Sequence, residues 1–258
     1  MLIDAHCHLD FAVFDPDRDA VMSAARGVGV KHFIVPGTTR ARWQAVLALG
    51  QRCQDVSVCA GLHPYFTGEH RDQDLAELEC LLKERSELVA VGECGIDARF
   101  DTTLDAQWAY FDAQLTLAKQ HALPVVVHCV KANDTVAKRL RQRTLSRTGL
   151  IHAFAGSYEQ ARKFVDLGYV LGLGGAATYY RAKRLHRVIK ALPDDSFVLE
   201  TDSPDMPLSG YQGQRNEPCR VSDVCNVVAE LRGQAREHVA AISSANAVRL
   251  FRLPVAVD

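Results

Sequence analysis

Eight short runs of apolar, often β-branched residues recur along the chain at regular intervals. They cover residues 2–3, 32–35, 56–60, 88–91, 125–127, 150–151, 169–171 and 197–199. None alternates cleanly between apolar and polar residues, which is typical of parallel strands that are buried on both faces. The runs therefore predict eight strands of one parallel sheet.

The segments between these runs carry apolar residues three and four positions apart, as amphipathic helices do. The clearest spans residues 104–121; segments 72–85 and 158–167 are similar, and 234–251 predicts an additional closing helix. Strands that alternate with helices eight times favour an α/β protein with a (β/α)8 TIM barrel over an open sheet. A length of 258 residues suits one such barrel. Since no linker or repeat divides the chain, we predict a single domain over residues 1–258.

Composition and charge exclude several classes of protein. The formal net charge is −1 and no basic stripe is evident, which disfavours a protein that coats duplex DNA. No window approaches the roughly 18 consecutive apolar residues of a membrane span. The eight cysteines form no Cys-x-x-Cys pair, and the first residues do not have the pattern of a signal peptide. We therefore expect free thiols, a cytoplasmic location, no membrane contact and no obligate protein partner.

Acidic residues and histidines follow six of the eight predicted strands. They are His6 and His8 after the first strand, His63 after the third, Glu93 after the fourth, His128 after the fifth, His152 after the sixth and Asp202 after the eighth. Barrel enzymes carry their functional groups at these C-terminal strand ends. The pattern therefore predicts one active site at this end of the barrel.

Imidazole and carboxylate side chains of this kind bind divalent metal ions. On a strand, His6 and His8 would point to the same side and hold one ion together. Taken singly, each candidate is also explained as a buried core histidine or a helix-capping acid. The set exceeds the four ligands of a closed zinc site, so it predicts two divalent ions with Glu93 bridging them. Asp202 either completes the first ion or takes a proton from its water.

Three further features allow more than one interpretation. Cys7, Cys94 and Cys129 adjoin proposed ligands, but strand alternation turns them towards the helices, which favours packing over metal binding. His63 precedes a proline and either binds a substrate phosphate, acts as an acid, or occupies a tight turn. The glycines of residues 172–175 form either a phosphate-binding loop or a close backbone contact.

The motifs that contain these residues resemble those of the TatD family of metal-dependent hydrolases, nearly end to end. They are Asp-Ala-His-Cys-His-Leu-Asp at 4–10, Gly-Leu-His-Pro at 61–64, Gly-Glu at 92–93 with Gly-Ile-Asp at 95–97, Leu-Pro to His at 123–128, His-Ala-Phe-Ala-Gly at 152–156, Glu-Thr-Asp-Ser-Pro at 200–204 and Arg-Asn-Glu-Pro at 215–218. Arg-Thr-Gly at 147–149, Gly-Gly at 174–175 and Asp-Met-Pro at 205–207 resemble its YjjV-like branch.

The resemblance implies an amidohydrolase-type TIM barrel with two divalent ions. The mixture of imidazole and carboxylate ligands suits zinc, manganese, iron or, less comfortably, magnesium. The resemblance implies a first ion held by His6, His8, Glu93 and Asp202, and a second held by Glu93, His128 and His152. His63 would lie near the substrate phosphate. The implied reaction is phosphodiester hydrolysis at a DNA 3′ end, or of a small phosphodiester, by a 3′-5′ exodeoxyribonuclease. The family often has Ser-Arg where this chain has Cys129 to Lys131. The ammonium of Lys131 would then replace an arginine guanidinium, which can donate two parallel hydrogen bonds to a phosphate.

Two other functions are compatible with the same residues. An amidohydrolase or esterase would use the same ions to cleave a small amide, lactone or aminoacyl ester. A non-catalytic metal-binding or nucleic-acid-binding module is the third possibility. It is disfavoured because intact acid and imidazole groups at six strand ends exceed what binding requires.

Overall fold

The computed structural model describes residues 1–255 as eight parallel strands, each followed by a helix. The strands pair in chain order from the first to the eighth. The sheet closes because Ala5 N, directly after the first strand, donates a hydrogen bond of 3.0 Å to Leu199 O in the last strand. The predicted (β/α)8 TIM barrel is therefore confirmed. The strands are β1 Leu2–Asp4, β2 Val30–Pro36, β3 Val56–Ala60, β4 Leu88–Asp97, β5 Val125–Val130, β6 Gly149–Ile151, β7 Val170–Leu173 and β8 Phe197–Leu199.

Nine helices surround this barrel in the described part of the chain, one after each strand and one more at the end. The additional closing helix, predicted over 234–251, begins at Arg236. None of the described helices combines the length and apolar character needed to span a bilayer. The helices are α1 Arg18–Gly27, α2 Arg40–Arg52, α3 Asp72–Glu84, α4 Leu104–Gln120, α5 Asn133–Arg143, α6 Tyr158–Val165, α7 Lys183–Ala191, α8 Val221–Arg232 and α9 Arg236–Phe251.

The barrel interior is apolar at one end and polar at the other. A cluster of buried side chains from all eight strands, among them Ile34, Val126 and Leu150, fills the interior and contacts Leu250 and Phe251 of α9. This packing covers the N-terminal end of the barrel with apolar surface. Polar side chains are consequently concentrated at the C-terminal end, where the sequence predicts the site.

Strand β4 is longer than its apolar run of residues 88–91 predicts. It continues to Asp97, and its register with β5 shifts between Val91 and Cys94. Gly92 lies in this irregular stretch with φ +150°, and a Cβ atom there would lie 2.6 Å from Val126 O. Only glycine allows this close approach of the two backbones. Glu93 therefore lies inside the strand rather than after it.

Strand β1 ends earlier than the predicted geometry of His6 and His8 requires. It ends at Asp4, so strand alternation is not what aligns the two histidines, and that expectation was wrong. Backbone hydrogen bonds beyond the strand have this role instead. Cys7 N donates to Ile34 O at 3.0 Å, and His8 N donates to Ser203 O at 2.7 Å. The segment is thus held between β2 and the residues after β8.

Candidate metal centre

The carboxylate of Glu93 lies at the centre of the predicted site, and one of its oxygens faces the histidines of the first strand. Glu93 Oε2 lies 3.1 Å from His6 Nε2 and 3.4 Å from His8 Nε2. Asp202 Oδ1 lies 3.3 and 3.5 Å from the same two nitrogens. The two Nε2 atoms are 3.3 Å apart. His6, His8 and Glu93 thus form one cluster of possible ligand atoms, and Asp202 forms another with His6 and His152.

The other oxygen of Glu93 faces a second group of imidazoles. Glu93 Oε1 lies 2.9 Å from His152 Nε2, 3.1 Å from His128 Nδ1 and 3.0 Å from His63 Nε2. The His128 and His152 nitrogens are 3.4 Å apart. All seven candidate residues, His6, His8, His63, Glu93, His128, His152 and Asp202, therefore meet around one carboxylate.

The spacing of these atoms fits ligands of metal ions. Nitrogen or oxygen ligands about 2.1 Å from one ion lie roughly 3.0–3.4 Å from each other, close to the range observed here. Glu93 Oε2 is buried and has no hydrogen-bond partner among the described residues. Such an orphaned carboxylate oxygen is costly unless a cation satisfies it. The donor atoms thus form clusters that can bind metal.

The protonation of His128 leaves one of its nitrogens available to a cation. Its Nε2 lies 3.1 Å from Asp97 Oδ2, and a carboxylate can only accept, so Nε2 carries the proton. In the neutral ring Nδ1 then has a lone pair, which faces Glu93 Oε1. Two acceptors at this distance repel each other unless a cation or proton lies between them. A histidine that donates its second N–H to a carboxylate is the usual arrangement of a metal ligand.

His63 has the opposite arrangement. Its Nδ1 accepts a 2.9 Å hydrogen bond from the backbone N–H of Tyr65, so in the neutral ring the proton is on Nε2. Burial, reinforced by the charge of His128, lowers the pKa of His63 to about 4, although Glu93 acts in the other direction. His63 therefore presents an N–H to the cluster rather than a lone pair, which suits a hydrogen-bond donor better than a metal ligand.

His152 is flanked by a second buried carboxylate. Its Nδ1 lies 3.7 Å from Glu200 Oε1, and the same oxygen accepts from the backbone N–H of Ala153. Gly172 makes room for this carboxylate, because a Cβ atom there would lie 2.2 Å from Glu200 Oε2. The glycine segment 172–175 is thus explained here by close packing.

Asp202 is held at the mouth of the barrel by its own backbone. Its φ is +57°, and its N–H donates 2.9 Å to His6 O. The preceding Thr201 donates its backbone N–H and its hydroxyl to the buried carboxylate of Asp4, at 2.9 and 2.6 Å. The Asp202 side chain is 15% exposed, against 1% for Glu93. Asp202 is therefore the cluster carboxylate that is most open to the cavity.

The electrostatics of the cluster favour added positive charge. Burial disfavours the imidazolium form of His8, but the nearby carboxylates of Asp202 and Glu93 outweigh this effect and raise the pKa of His8 to about 10. Burial would raise the pKa of Glu93, but the surrounding histidines hold it well below its usual range. In the absence of an ion the cluster retains protons, and a divalent cation would displace them.

A cavity of about 1070 Å³ opens above these ligand atoms. Its wall includes the aromatic side chains Phe11, Tyr65 and Phe66 and the cations Lys131 and Arg184. Such a volume accommodates more than a water molecule or a single phosphate group. The cavity therefore has room for a substrate with several polar and aromatic contacts.

The thiols lie outside the ligand groups of the described residues. All eight are free, as predicted. Cys7 and Cys94 are buried and directed at the backbone oxygens Ile34 O and Val126 O, consistent with packing. Cys129 differs from the expectation, because it lines the cavity, where its Sγ lies 3.3 Å from Asn133 Oδ1. The strand continues to Val130, and its last residues lie at the open rim.

Sequence reasoning did not identify Asp97 and Glu200 as functional. Both are acidic residues inside quoted motifs, Gly-Ile-Asp and Glu-Thr-Asp. Each is an acidic residue within a motif at a strand end. Because a metal-binding histidine usually donates its second N–H to a carboxylate, these two acids could have been proposed as the groups that orient the histidines.

Comparison with known proteins shows which family the chain is similar to. The family model described as TatD related DNase matches residues 3–252. The chain is 42% identical over 254 residues to the uncharacterized metal-dependent hydrolase YjjV of Escherichia coli strain K12, covering 98% of both chains. The crystal structure of E. coli YjjV superimposes with a TM-score of 0.95. The 3′-5′ ssDNA/RNA exonuclease TatD of Cronobacter sakazakii is 31% identical over 258 residues, covering 97% of both chains. The chain therefore belongs to the TatD family of metal-dependent hydrolases and to its YjjV-like branch.

Proposed function

We propose that this protein is a divalent-metal-dependent phosphodiesterase that releases nucleotides from the 3′ end of single-stranded DNA. The observation that carries the proposal is the position of Glu93, whose two oxygens face two separate groups of ligand atoms beneath a large open cavity. A carboxylate that bridges two ions about 3.5–4 Å apart suits in-line displacement at phosphorus. The relative named as a 3′-5′ ssDNA/RNA exonuclease supports the same reaction.

The two ions have distinct ligand sets in this proposal. His6, His8 and Asp202 hold the first, His128 and His152 hold the second, and Glu93 belongs to both. Mixed imidazole and carboxylate ligands suit zinc or manganese, and magnesium less well. When bound, the ions polarise the scissile phosphate and lower the pKa of the attacking water.

Three side chains of the chain contact the water or the phosphate in this proposal. Asp202 accepts the proton of the attacking water, because it is the most open carboxylate of the cluster. Burial opposes its ionisation, but nearby histidines hold its pKa below the usual range, so the carboxylate is ionised before it acts. The Nε2–H of His63 donates to the phosphate. Lys131 lines the cavity near its rim and supplies a positive charge for a phosphate oxygen.

Aromatic side chains at the rim provide a place for the terminal base. Tyr65 is 60% exposed, and its ring centroid lies 5.4 Å from that of Phe100 and 5.0 Å from that of Phe66. A large exposed aromatic beside a hydrolytic site is typical of stacking on nucleic-acid bases, and such contacts tolerate any base. This arrangement favours an oligonucleotide over a small amide or lactone.

The first test is nucleotide release from a 3′-labelled single-stranded DNA oligomer. Metal-stripped protein, protein with manganese or magnesium restored, and a Glu93→Ala variant would be compared. We expect release only with metal, and a loss of at least 10³-fold in the variant, because it removes ligands from both ions. A matched Glu87→Ala variant, at an exposed residue before β4, should keep the wild-type rate.

A negative result would separate the chemistry from the substrate. If folded protein containing two ions per chain releases no nucleotide, DNA is not the substrate. Assays with small phosphodiesters, amides, lactones and aminoacyl esters then identify which bond the site cleaves. If the protein binds a single ion and His128 and His152 do not coordinate it, the two-ion proposal is wrong.

A further inference from the structure

The segment from Tyr179 to Ala191 forms a basic surface beside the cavity. It contains five lysines and arginines and no acidic residue: Arg181, Lys183, Arg184, Arg187 and Lys190. All five are exposed. On the neighbouring helix α6, by contrast, Arg162 pairs with Asp166, and Lys163 pairs with Asp134. The five cations of residues 179–191 form no ion pair of this kind among the described residues, so their charge is available to an external anion.

Helix α7 separates this charge from its apolar side. Leu185, Val188 and Ile189 are buried against the barrel. Lys183, Arg187 and Lys190 recur four and three residues apart and thus share the opposite face. Just before the helix, Tyr180 is 79% exposed, and Lys183 Nζ lies 3.6 Å from the centroid of its ring. Exposed cations combined with an exposed aromatic are the features of single-strand nucleic-acid surfaces.

The basic surface is continuous with the metal centre through Arg184. Arg184 lines the cavity together with Glu93, His128 and Asp202. The segment follows β7, whereas Tyr65 follows β3. In a closed barrel of eight strands paired in order, β3 and β7 lie on opposite sides. The cations and the exposed Tyr65 therefore face each other across the proposed ions.

The positions of Tyr65 and the five cations match the two parts of an exonuclease substrate, the leaving nucleotide and the remaining strand. The leaving 3′ nucleotide has one base to stack, whereas the strand on the 5′ side carries a phosphate at every nucleotide and requires cations. Near Tyr65 the charge is largely neutralised, because Arg99 pairs with Asp97. Near α7 the segment itself contains no acidic residue, and Glu159 of α6 is the acidic side chain on which the charge of Arg187 acts, so most of the positive charge of the five cations remains.

We infer that the basic surface of residues 179–191 binds the phosphates of the DNA strand on the 5′ side of the scissile bond. The DNA strand would then cross the mouth of the barrel from α7 to Tyr65. The inference rests on the proposed function and assigns a direction to the substrate. It also explains how a chain with a net charge of −1 binds nucleic acid, because the charge is local.

Binding tests the surface independently of turnover. The probe is a 5′-fluorescein ten-nucleotide oligothymidylate with phosphorothioate linkages at its 3′ end, titrated with manganese-loaded protein and followed by anisotropy. The Arg181→Gln/Arg187→Gln variant should raise Kd at least tenfold at low salt. It should also reduce the slope of log Kd against log salt by about 1.4, since each lost single-strand phosphate contact contributes about 0.7.

The matched control is Arg162→Gln/Lys163→Gln, which removes the same charge from α6. We expect a change in its Kd of less than twofold. Equal losses in both variants, or no loss in either, overturn the inference. If the Arg181→Gln/Arg187→Gln variant loses binding to phosphatidylglycerol vesicles but keeps oligonucleotide binding, the surface is a membrane contact and the inference is wrong.

Turnover distinguishes failure of this inference from failure of the proposed function. For the wild type, kcat/KM should be at least tenfold higher for a ten-nucleotide than for a two-nucleotide DNA substrate. The Arg181→Gln/Arg187→Gln variant should reduce this ratio towards one, and the α6 control should preserve it. Release from both lengths at a ratio that the variant does not change overturns the inference alone. No release from either length contradicts the proposed function, while anisotropy still decides whether the surface binds the strand.

Discussion

Asp97 Oδ2 lies 3.1 Å from His128 Nε2, on the side of the ring that faces away from Glu93. Asp97 is also paired with Arg99, whose guanidinium donates to both of its oxygens. Burial opposes ionisation of Asp97, but the hydrogen bonds from Arg99 and His128 hold its pKa well below the usual range. The carboxylate is therefore ionised throughout the working range of pH and fixes the proton of His128 on Nε2.

Replacing Asp97 is expected to weaken the binding of one of the two ions and leave the binding of the other unchanged. An Asp97→Asn variant retains the shape but loses the charge that makes His128 a better donor. Loss of a group that hydrogen-bonds a metal-binding histidine costs about 10–100-fold in metal affinity. Titration of metal-free protein with manganese, followed by calorimetry, should show one weakened site and one unchanged site. Asp101→Asn, at an exposed position in the following turn, is the control. Equal affinities in the wild type and Asp97→Asn would show that Asp97 does not position the ligand.

Replacing His63 is expected to lower turnover without removing an ion. His63 presents an N–H, so a His63→Gln variant should retain two manganese ions per chain and lose about 10²–10³-fold in kcat, the usual cost of losing a hydrogen-bond donor to charge that develops in the transition state. Metal content is measured by elemental analysis and kcat with the labelled oligomer. Loss of one ion would instead make His63 a ligand of the second ion, since its Nε2 lies 3.0 Å from Glu93 Oε1.

Removing the exposed ring of Tyr65 is expected to weaken oligonucleotide binding. Stacking contributes about 1–3 kcal/mol per base, so Tyr65→Ala should raise KM between about fivefold and a hundredfold, with a smaller effect on kcat. Tyr65→Phe keeps the ring and should behave like the wild type. Tyr158→Ala, which removes another exposed tyrosine at the start of α6, is the second control. A KM for Tyr65→Ala within twofold of the wild-type value contradicts base stacking.

Much of the fold could be predicted because buried parallel strands are short apolar runs, and β3 and β8 match their runs residue for residue. The length of β4 could not. Its second half contains Gly92, Glu93 and Gly95, which do not resemble strand residues, and it is held in the sheet by close backbone contacts with β5. The low strand propensity of these residues is outweighed there by their pairing with β5.

The site could be predicted as a set but not as an arrangement. Glu93 and the histidines are recognisable by their places after strands, whereas the direction of a ring depends on contacts that no local pattern shows. The role of His63 stayed open in the sequence, and a backbone N–H two residues later, at Tyr65, decides which nitrogen carries the proton. Asp97 acquires its role only when β4 and β5 pair.

A buried histidine away from the site is expected to make stability depend on pH. His32 in β2 is 1% exposed, and its Nε2 lies 2.8 Å from Ser57 Oγ. Burial lowers the pKa of His32 below its ordinary value of 6.5, and the charge of Asp55 offsets this only partly. Between the two values the unfolded chain binds more protons than the folded one, so His32 lowers the free energy of unfolding as the pH falls below about 6.5.

The measurement is urea unfolding of the wild type and a His32→Gln variant between pH 7.5 and 5, where the pH values are about one to two units either side of the unfolded pKa. Glutamine keeps a hydrogen-bonding group beside Ser57 but does not titrate, so the variant should lose less stability over this interval than the wild type. His121→Gln, at the end of α4, should follow the wild-type curve. Because the metal centre is the same in all three proteins, its contribution is common to them, and only the difference between the curves reports on His32. Parallel curves for the wild type and His32→Gln would mean that His32 has the same pKa in the folded and unfolded chains, and that burial does not control its protonation.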